Sequence, residues 1–434
     1  MTSTNASISP DLRYAIFFLS AIPFIAFNAN AADTTIPSGT TFTNSGTVIN
    51  AFGDRIIAEG TYDNDGVVAN DGEVVTVPGG LFDNYGTFNT NSGGVVDSTG
   101  TITNNNGATL STFAGGDFFN DGALDNEGNI ANSGTLDNDG SFVNGVNGVI
   151  INDVGGLLDN GNLGYFENTN SLTNNGEFNN NGTFANDGTW SDIGIFSNTG
   201  NVNGGGSVDI SGAFTNTTGA SFEQSTVTVN AGATFDLLSG SQTIISNTLT
   251  QNGGTISVFG GRLEATNIDL IGGAFDFTGG VLNTTAVNGN LNNAGGILAP
   301  GQSPGITTIT GDYSQDSGST LLIEIEGLIQ GTEYDSLFVT GTATLDGELN
   351  FDLDYGSLAL DDSFEILSAE VISGTFATIK NKRINEEWKW ELSYDLDAVG
   401  TTDIITARVA LVPIPAAVWL FGSALGLLGW MRRK

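Results

Sequence analysis

The chain reads GALDNE from Gly122 to Glu127 and continues GNIANS, GTLDND and GSFVNG as far as Gly145. Glycine recurs at every sixth position, with an apolar residue two positions after it and asparagine four positions after it. The same frame returns from Gly176 to Val202, and looser copies lie at 42–46, 62–66 and 82–86. A polar low-complexity linker is the alternative to an ordered repeat. Large apolar side chains kept in one slot favour order.

A six-residue period excludes an amphipathic helix, whose apolar face recurs every 3.6 residues, and glycine would cost about 1 kcal/mol at each helix-interior position. The period fits short strands broken by turns, with one apolar side chain per strand facing inward and Asn-x-Gly supplying corners of positive φ. Such strands bury an apolar face by stacking about 4.8 Å apart, and stacked asparagines can form amide ladders. We therefore predict an all-β fold, an elongated parallel β-helix or β-solenoid.

The repeat changes along the chain. We expect the hexad solenoid to occupy 32–220 and longer β-helical coils, punctuated by glycine pairs, to occupy 221–302. Strict alternation of apolar and polar residues over 303–411 predicts a β-sandwich-like cap over the open strand edge. The cluster Lys380-Asn-Lys-Arg383 in this region is interpreted as a solvated loop. The segments at 295–305, 309–315 and 334–341 resemble the C-terminal part of autotransporter passengers and large surface adhesins, and this resemblance covers roughly Gly295 to Ala377.

Charge and residue usage narrow the function. The 434 residues include 48 acidic residues, 11 basic residues, no histidine and no cysteine. Such an acidic surface repels nucleic acid. Without histidine or cysteine, no Ser-His-Asp or Cys-His arrangement can form, and no histidine can bind a metal. We therefore predict a protein that is not an enzyme. A carbohydrate-active β-helix, a polysaccharide lyase or hydrolase with paired carboxylates, is the alternative.

Calcium binding is a second alternative raised by the acidic residues. Asp-rich corners occur at Asp63-Asn-Asp65, Asp137-Asn-Asp139 and Asp361-Asp362, and calcium prefers oxygen ligands of this kind. The G-G-x-G-x-D nonapeptide is absent from the sequence. Solvated turns are the favoured interpretation, and no cofactor is predicted.

Both ends of the chain carry export features. Arg13, the apolar run 14–27 and Ala29-Asn30-Ala31 are the three parts of a secretory signal peptide, with cleavage by signal peptidase expected after Ala31. Near the other end, about 21 residues between Val409 and Met431 carry no charge, close to the ~20 needed to span a bilayer. Arg432, Arg433 and Lys434 follow, and such residues tend to stay in the cytoplasm. A permanent C-terminal anchor is one interpretation of this tail.

The tail also resembles a known sorting signal. Val412, Pro413, Ile414, Pro415 and Ala416, followed by Trp419-Leu-Phe-Gly-Ser423 and the terminal basic residues, resemble the VPLPA type of PEP-CTERM signal, with Ile414 in place of the usual leucine. The resemblance implies recognition by an exosortase, removal of 412–434 and export to the surface of a Gram-negative bacterium that makes exopolysaccharide. The expected protein is a structural or adhesive component of the cell surface or extracellular matrix, transiently anchored in the inner membrane, with exopolysaccharide or other glycans as partners.

Overall fold

Each hexad forms one four-residue strand followed by a two-residue turn in the structure, which is a computed structural model. It describes residues 33–302, 304–396 and 402–413, and in this part of the chain all regular structure is β-strand. The chain divides into two compact units, whose boundary falls between Asp276 and Phe277. The fold is an all-β parallel solenoid, as predicted.

The strands as far as the unit boundary are β1 (Thr34–Ile36), β2 (Thr41–Asn44), β3 (Thr47–Asn50), β4 (Arg55–Ala58), β5 (Thr61–Asn64), β6 (Val67–Asn70), β7 (Glu73–Thr76), β8 (Leu81–Asn84), β9 (Thr87–Thr90), β10 (Val95–Ser98), β11 (Thr101–Asn104), β12 (Thr109–Thr112), β13 (Asp117–Asn120), β14 (Ala123–Asn126), β15 (Asn129–Asn132), β16 (Thr135–Asn138), β17 (Ser141–Asn144), β18 (Val149–Asn152), β19 (Leu157–Asn160), β20 (Tyr165–Asn168), β21 (Ser171–Asn174), β22 (Glu177–Asn180), β23 (Thr183–Asn186), β24 (Thr189–Asp192), β25 (Ile195–Asn198), β26 (Asn201–Asn203), β27 (Ser207–Ile210), β28 (Ala213–Asn216), β29 (Ser221–Asn230), β30 (Thr234–Leu237) and β31 (Gln242–Asn288), which crosses the boundary. The later strands are β32 (Leu291–Asn293), β33 (Ile297–Pro300), β34 (Ile306–Thr310), β35 (Tyr313–Gln315), β36 (Thr320–Ile325), β37 (Ser336–Leu345), β38 (Glu348–Leu353), β39 (Ser363–Gly374), β40 (Thr378–Lys380), β41 (Trp388–Asp395) and β42 (Asp403–Leu411).

In the first unit, three strands make one turn of the solenoid. From β1 to β25, each strand pairs in parallel with the third strand after it, so that β14 lies in register with β17 from Ala123↔Ser141 to Asn126↔Asn144. A turn of three hexads therefore repeats after 18 residues, as between Asn126 and Asn144. The next repeat, from Asn144 to Asn168, takes 24 residues because all three of its connections have four residues instead of two. Extra residues are thus accommodated in the connections between strands, and the register of the paired strands is kept.

The core follows from the alternation within each strand. The second and fourth residues are buried in nearly all strands from β4 to β25, and the first and third face outward. The second residue is the apolar slot of the hexad, so these side chains stack from one turn to the next. Phe142, Phe166 and Phe184 stack with ring centroids 4.6 and 4.8 Å apart and with planes within 18° of parallel. The offset-stacked spacing of aromatic pairs and the strand spacing coincide here.

The role of the hexad glycines differs from the prediction. Gly122 has no positive φ, but a β-carbon there would lie 2.1 Å from the carbonyl oxygen of Gly100 in the preceding turn of the solenoid. Positive φ occurs instead in the four-residue connections, as at Gly155 with φ of 87°, where added atoms would meet open space. The hexad glycines are therefore required by the close approach of stacked turns.

The second unit also begins as a parallel stack. Residues 281–284 of β31 pair with β33, β33 pairs with β36, β36 with β38, and β38 with β40, all in parallel. Among the strands that the structure describes, antiparallel ladders are formed only by β42, which lies between β39 and β41, and two isolated antiparallel bridges join Ile325 to Tyr334 and Arg383 to Lys389. The described residues of 303–411 thus do not show the predicted β-sandwich-like cap. Apolar and polar residues alternate with the same period in parallel and in antiparallel sheets. The alternation shows that a strand is half-buried, but it does not show the direction of the neighbouring strand.

Candidate functional surface

The asparagines of the hexad form a buried amide ladder. Each side-chain Nδ2 donates to the Oδ1 of the asparagine one turn further along, at 2.7 Å throughout the longest row. Its members are Asn44, Asn64, Asn84, Asn104, Asn126, Asn144, Asn168 and Asn186. The second Nδ2 hydrogen reaches a backbone carbonyl, as from Asn104 to Asn129 at 3.0 Å. The predicted ladder is confirmed, and its burial removes these side chains from any contact with a ligand.

Shorter side chains stand before asparagine in the other two rows: one row reads Ile36, Ala58, Thr76 and Ser98 before Asn120, and the other has Thr90 and Thr112 between Asn70 and Asn132. Ser98 precedes Asn120 in one row and Thr112 precedes Asn132 in the other. Neither hydroxyl has a hydrogen-bond partner among the described residues, and neither do the Oδ1 atoms of Asn120 and Asn132. Serine and threonine are one bond too short to bridge two turns. Each ladder that follows a shorter side chain therefore begins with an unsatisfied acceptor.

One row ends on a carboxylate. Asn174 donates to Oδ1 of Asp192 at 2.7 Å, and the next residue in register is Ile210, which cannot continue the ladder. Asp192 is fully buried and its Oδ2 has no partner among the described residues. Burial raises the pKa of Asp192 to about 7, although the Asn174 hydrogen bond acts in the opposite direction. The hexad frame alone could have revealed this residue, since aspartate occupies the asparagine slot of the segment that begins at Gly188.

The outward positions form the accessible surface, and their acidic residues cluster by register. Asp63 faces Asp83 on one side of the first unit, and Asp137 faces Asp159 on another. Partial burial and then the neighbouring carboxylates raise the pKa values of Asp63 and Asp137. Charge repulsion thus runs along the solenoid axis, where it opposes the stacking of turns. The surface attracts cations and hydrogen-bond donors.

The corners considered as calcium sites do not share one arrangement. Asp63 and Asp137 lie on strands, facing outward, while Asp361 has a positive φ of 73° and contacts the Arg408 guanidinium at 3.3 Å. Asp362 accepts the backbone N–H of Ala359. Within the described ranges, no three or more acidic side chains are grouped in a geometry that could hold a metal ion.

A shallow acidic cavity of about 350 Å³ lies in the second unit, lined by Glu324, Glu326, Asp352, Leu353 and Asp354. Beside it, the buried Asp335 accepts backbone N–H bonds from Gly305 at 2.7 Å and Glu324 at 2.8 Å. Burial raises the pKa of Asp335 to about 7 in spite of these bonds, and the Glu324 and Glu326 charges add to the shift. No basic residue lines the cavity. An acidic sugar would therefore meet repulsion there.

The structure places only the beginning of the predicted sorting motif. Strand β42 ends at Leu411, and the backbone N–H of Val412 donates to the Glu387 carbonyl at 2.7 Å. Pro413 follows and is exposed. Ile414, Pro415, Ala416, Arg432, Arg433 and Lys434 lie outside the described residues, as do Ala29 and Ala31 of the predicted signal-peptide cleavage site. In the part of the chain that the structure describes, no helix has the length and apolar character needed to cross a membrane.

Neither the protein-family models nor the curated proteins searched give a match to this chain.

Proposed function

We propose that this chain is a secreted structural or adhesive protein of the cell surface or extracellular matrix of a Gram-negative bacterium, sorted by an exosortase and associated with exopolysaccharide. The observation that carries the proposal is the position of the VPLPA-like motif. The last strand ends at Leu411, and the motif starts at the next residue. A processing enzyme acting there would remove the tail without cutting any strand that the structure describes.

The outward rows of the solenoid supply the proposed contact surface. In each strand of the hexad region, two outward positions repeat with every turn, at about the 4.8 Å spacing of paired strands. More than half of these positions carry Asp, Thr, Asn or Ser side chains, which can hydrogen-bond sugar hydroxyls, and apolar residues such as Val67 and Ile195 lie between them. Each contact is weak, but many contacts to one long polymer act together through a high effective concentration. Adhesion therefore does not require a pocket.

The sorting step is tested by intact mass and fractionation of the native protein from an exopolysaccharide-producing host, with its exosortase gene present and then deleted. A chain from about Ala32 to about Val412, found in the matrix only when the exosortase is present, is the expected result. A Pro413→Ala/Pro415→Ala variant should remain unprocessed, while Leu427→Ile, in the tail but outside the residues that resemble the signal, should be processed normally. A chain that keeps Arg432 to Lys434 in the inner membrane of both strains would make the tail a permanent anchor.

The adhesive role needs a separate measurement on the processed protein. The processed protein should be retained on immobilised matrix polysaccharide. The length of the polysaccharide, measured by size-exclusion chromatography, should not change. Shortening of the polymer would favour the alternative of a polysaccharide lyase or hydrolase. Absence of both retention and shortening across a panel of matrix glycans would contradict the adhesive role while leaving the sorting result intact.

A further inference from the structure

In the part of the chain that the structure describes, the first turn of the solenoid, 34–50, has one stacked neighbour, whereas the turns that follow have two. Within the described residues, β1, β2 and β3 pair only with β4, β5 and β6. The burial pattern shows the consequence: β2 and β3 are exposed at their first and third positions and only half-buried in the apolar slot, whereas β5 is buried in that slot. The missing neighbour leaves both backbone groups and apolar side chains uncovered.

The backbone groups that face this open side can be assigned from the register. The carbonyls of Thr40 and Asn44 accept N–H groups of the second turn at 2.9 and 2.8 Å, so the backbone groups of Phe42 and Asn44 point toward that turn. Along a strand the N–H and C=O groups alternate in direction. Those of Thr41 and Thr43 on β2, and of Ile49 on β3, therefore point away from the molecule. We call these outward-directed backbone groups of the first turn the open edge.

Three features favour a second copy of this chain as the occupant of the open edge. First, no charged residue lies between Thr34 and Gly53, in a chain with a net charge of −37. Copies that approach elsewhere bring acidic rows together, whereas here they meet through uncharged side chains. Second, Phe42 and Val48 remain half-buried and supply apolar surface at the end of the core. Third, cleavage after Ala31, the export step of the proposed function on which this inference rests, leaves only Ala32 and Asp33 before β1.

The open edge is also self-complementary. If a two-fold axis passes beside Phe42, Thr41 of one copy lies opposite Thr43 of the other, and both residues direct N–H and C=O toward the partner. Antiparallel strands in this register exchange four backbone hydrogen bonds. A two-fold axis uses the same patch on both copies and closes the assembly at a dimer. Pairing of this kind removes an exposed edge that would otherwise recruit other strands.

We propose that two copies of the mature chain associate through antiparallel pairing of β2 at the open edge. The test is sedimentation velocity of the complete processed chain, from about Ala32 to about Val412, between about 0.1 and 100 μM. This range resolves a Kd near 1 μM. The variant Thr43→Pro removes the outward N–H of Thr43, which the solenoid does not use, and with it two of the four hydrogen bonds between the copies; edge strands tolerate proline. The matched control Thr43→Val keeps this donor and the β-branched shape.

The expected result is a concentration-dependent dimer for the native and Val chains and at least a tenfold weaker association for the Pro chain, with equal melting temperatures. A native chain that stays monomeric up to 100 μM would overturn the inference. So would equal dimerisation of the Pro chain, because the contact would then lie elsewhere. Intact mass shows whether 1–31 has been removed. A monomer that retains this segment would identify the segment, and not a second copy, as the occupant.

The sorting proposal and the dimer proposal can be refuted independently of each other. A monomeric protein that is still processed near Val412 and still recovered from the matrix overturns only the dimer. A dimer that remains in the inner membrane with its tail intact overturns only the sorting proposal.

Discussion

Replacing Asp192 by asparagine should stabilise the first unit, by an amount that grows with pH. The folded pKa of Asp192 is about 7, against 3.8 for an unperturbed aspartate. A carboxyl whose folded pKa is raised binds its proton more tightly in the folded state, so its contribution to stability falls as pH rises from 3.8 to 7 and is constant above that. Three pKa units correspond to about 4 kcal/mol.

A new hydrogen bond adds a second contribution to the stability gained by Asp192→Asn. Asn174, at the end of β21, donates its other hydrogen to the carbonyl of Ile195, the first residue of β25. The equivalent carbonyl for residue 192 is that of Ala213, the first residue of β28. An asparagine can donate to it, whereas an ionised aspartate presents an oxygen. One such hydrogen bond contributes about 1 kcal/mol where Asp192 is ionised, whereas at low pH the protonated carboxyl has an O–H that can donate to the same carbonyl.

The assay is guanidinium unfolding at pH 4.5, 6 and 7.5, combined with hydrogen exchange of the peptide 189–198, because solenoid turns can open separately. The free energy of unfolding of Asp192→Asn should exceed that of the native chain by about 4–5 kcal/mol at pH 7.5 and by about 1 kcal/mol at pH 4.5. The control is Asp209→Asn, which removes one negative charge from the exposed side of β27, in register with Ser191. Equal effects of the two substitutions, or a gain from Asp192→Asn that does not change with pH, would refute the reasoning.

Three further predictions concern the ladder, the glycines and the acidic rows. Thr90→Asn/Thr112→Asn should join Asn70 to Asn132 through a continuous ladder and raise the free energy of unfolding by about 2 kcal/mol in guanidinium titrations, whereas Thr87→Asn/Thr109→Asn, facing outward on the same two strands, should not. Gly122→Ala should destabilise by at least about 3 kcal/mol, because its β-carbon meets a backbone carbonyl at 2.1 Å, and Gly155→Ala by about 1–2 kcal/mol, because only its positive φ is strained. Millimolar Ca²⁺ should raise the melting temperature and promote association relative to Na⁺ at equal ionic strength, because a divalent cation is attracted more strongly to the stacked carboxylates than a monovalent one. An unchanged melting curve and sedimentation profile would contradict this.

The hexad frame predicted the strand positions and the buried side of each strand because one apolar slot per six residues leaves little freedom of register. Leu124, Phe142 and Phe178 are all fully buried, as the frame requires. The frame also indicated the amide ladder. Local sequence carries this information because every turn of a solenoid contacts only its neighbours.

The features missed depend on distances between turns. The hexad glycines were assigned to positive φ, but a β-carbon at Gly122 is excluded by a carbonyl 22 positions earlier, which a local pattern does not reveal. The predicted sandwich-like cap rested on alternation alone, and alternation does not distinguish the parallel pairing of β36 with β38 from antiparallel pairing. Asp192 is different, because its place in the asparagine slot of the frame indicates burial, whereas the acidic composition of the chain favours a surface position for any aspartate.

The buried amides explain how a solenoid with uneven turns keeps a regular surface. The distance between ladder partners varies from 18 to 24 residues, yet the Nδ2–Oδ1 distance stays at 2.7 Å. A slip of one residue would turn the aromatic slot outward and break every amide bond of the row, so register is fixed more strictly than by apolar packing alone. Because register is fixed inside, the outward positions recur at a constant pitch whatever residues they carry. A polymer lying along the axis would meet side-chain positions at an even spacing, which is the condition that many weak contacts need in order to act together.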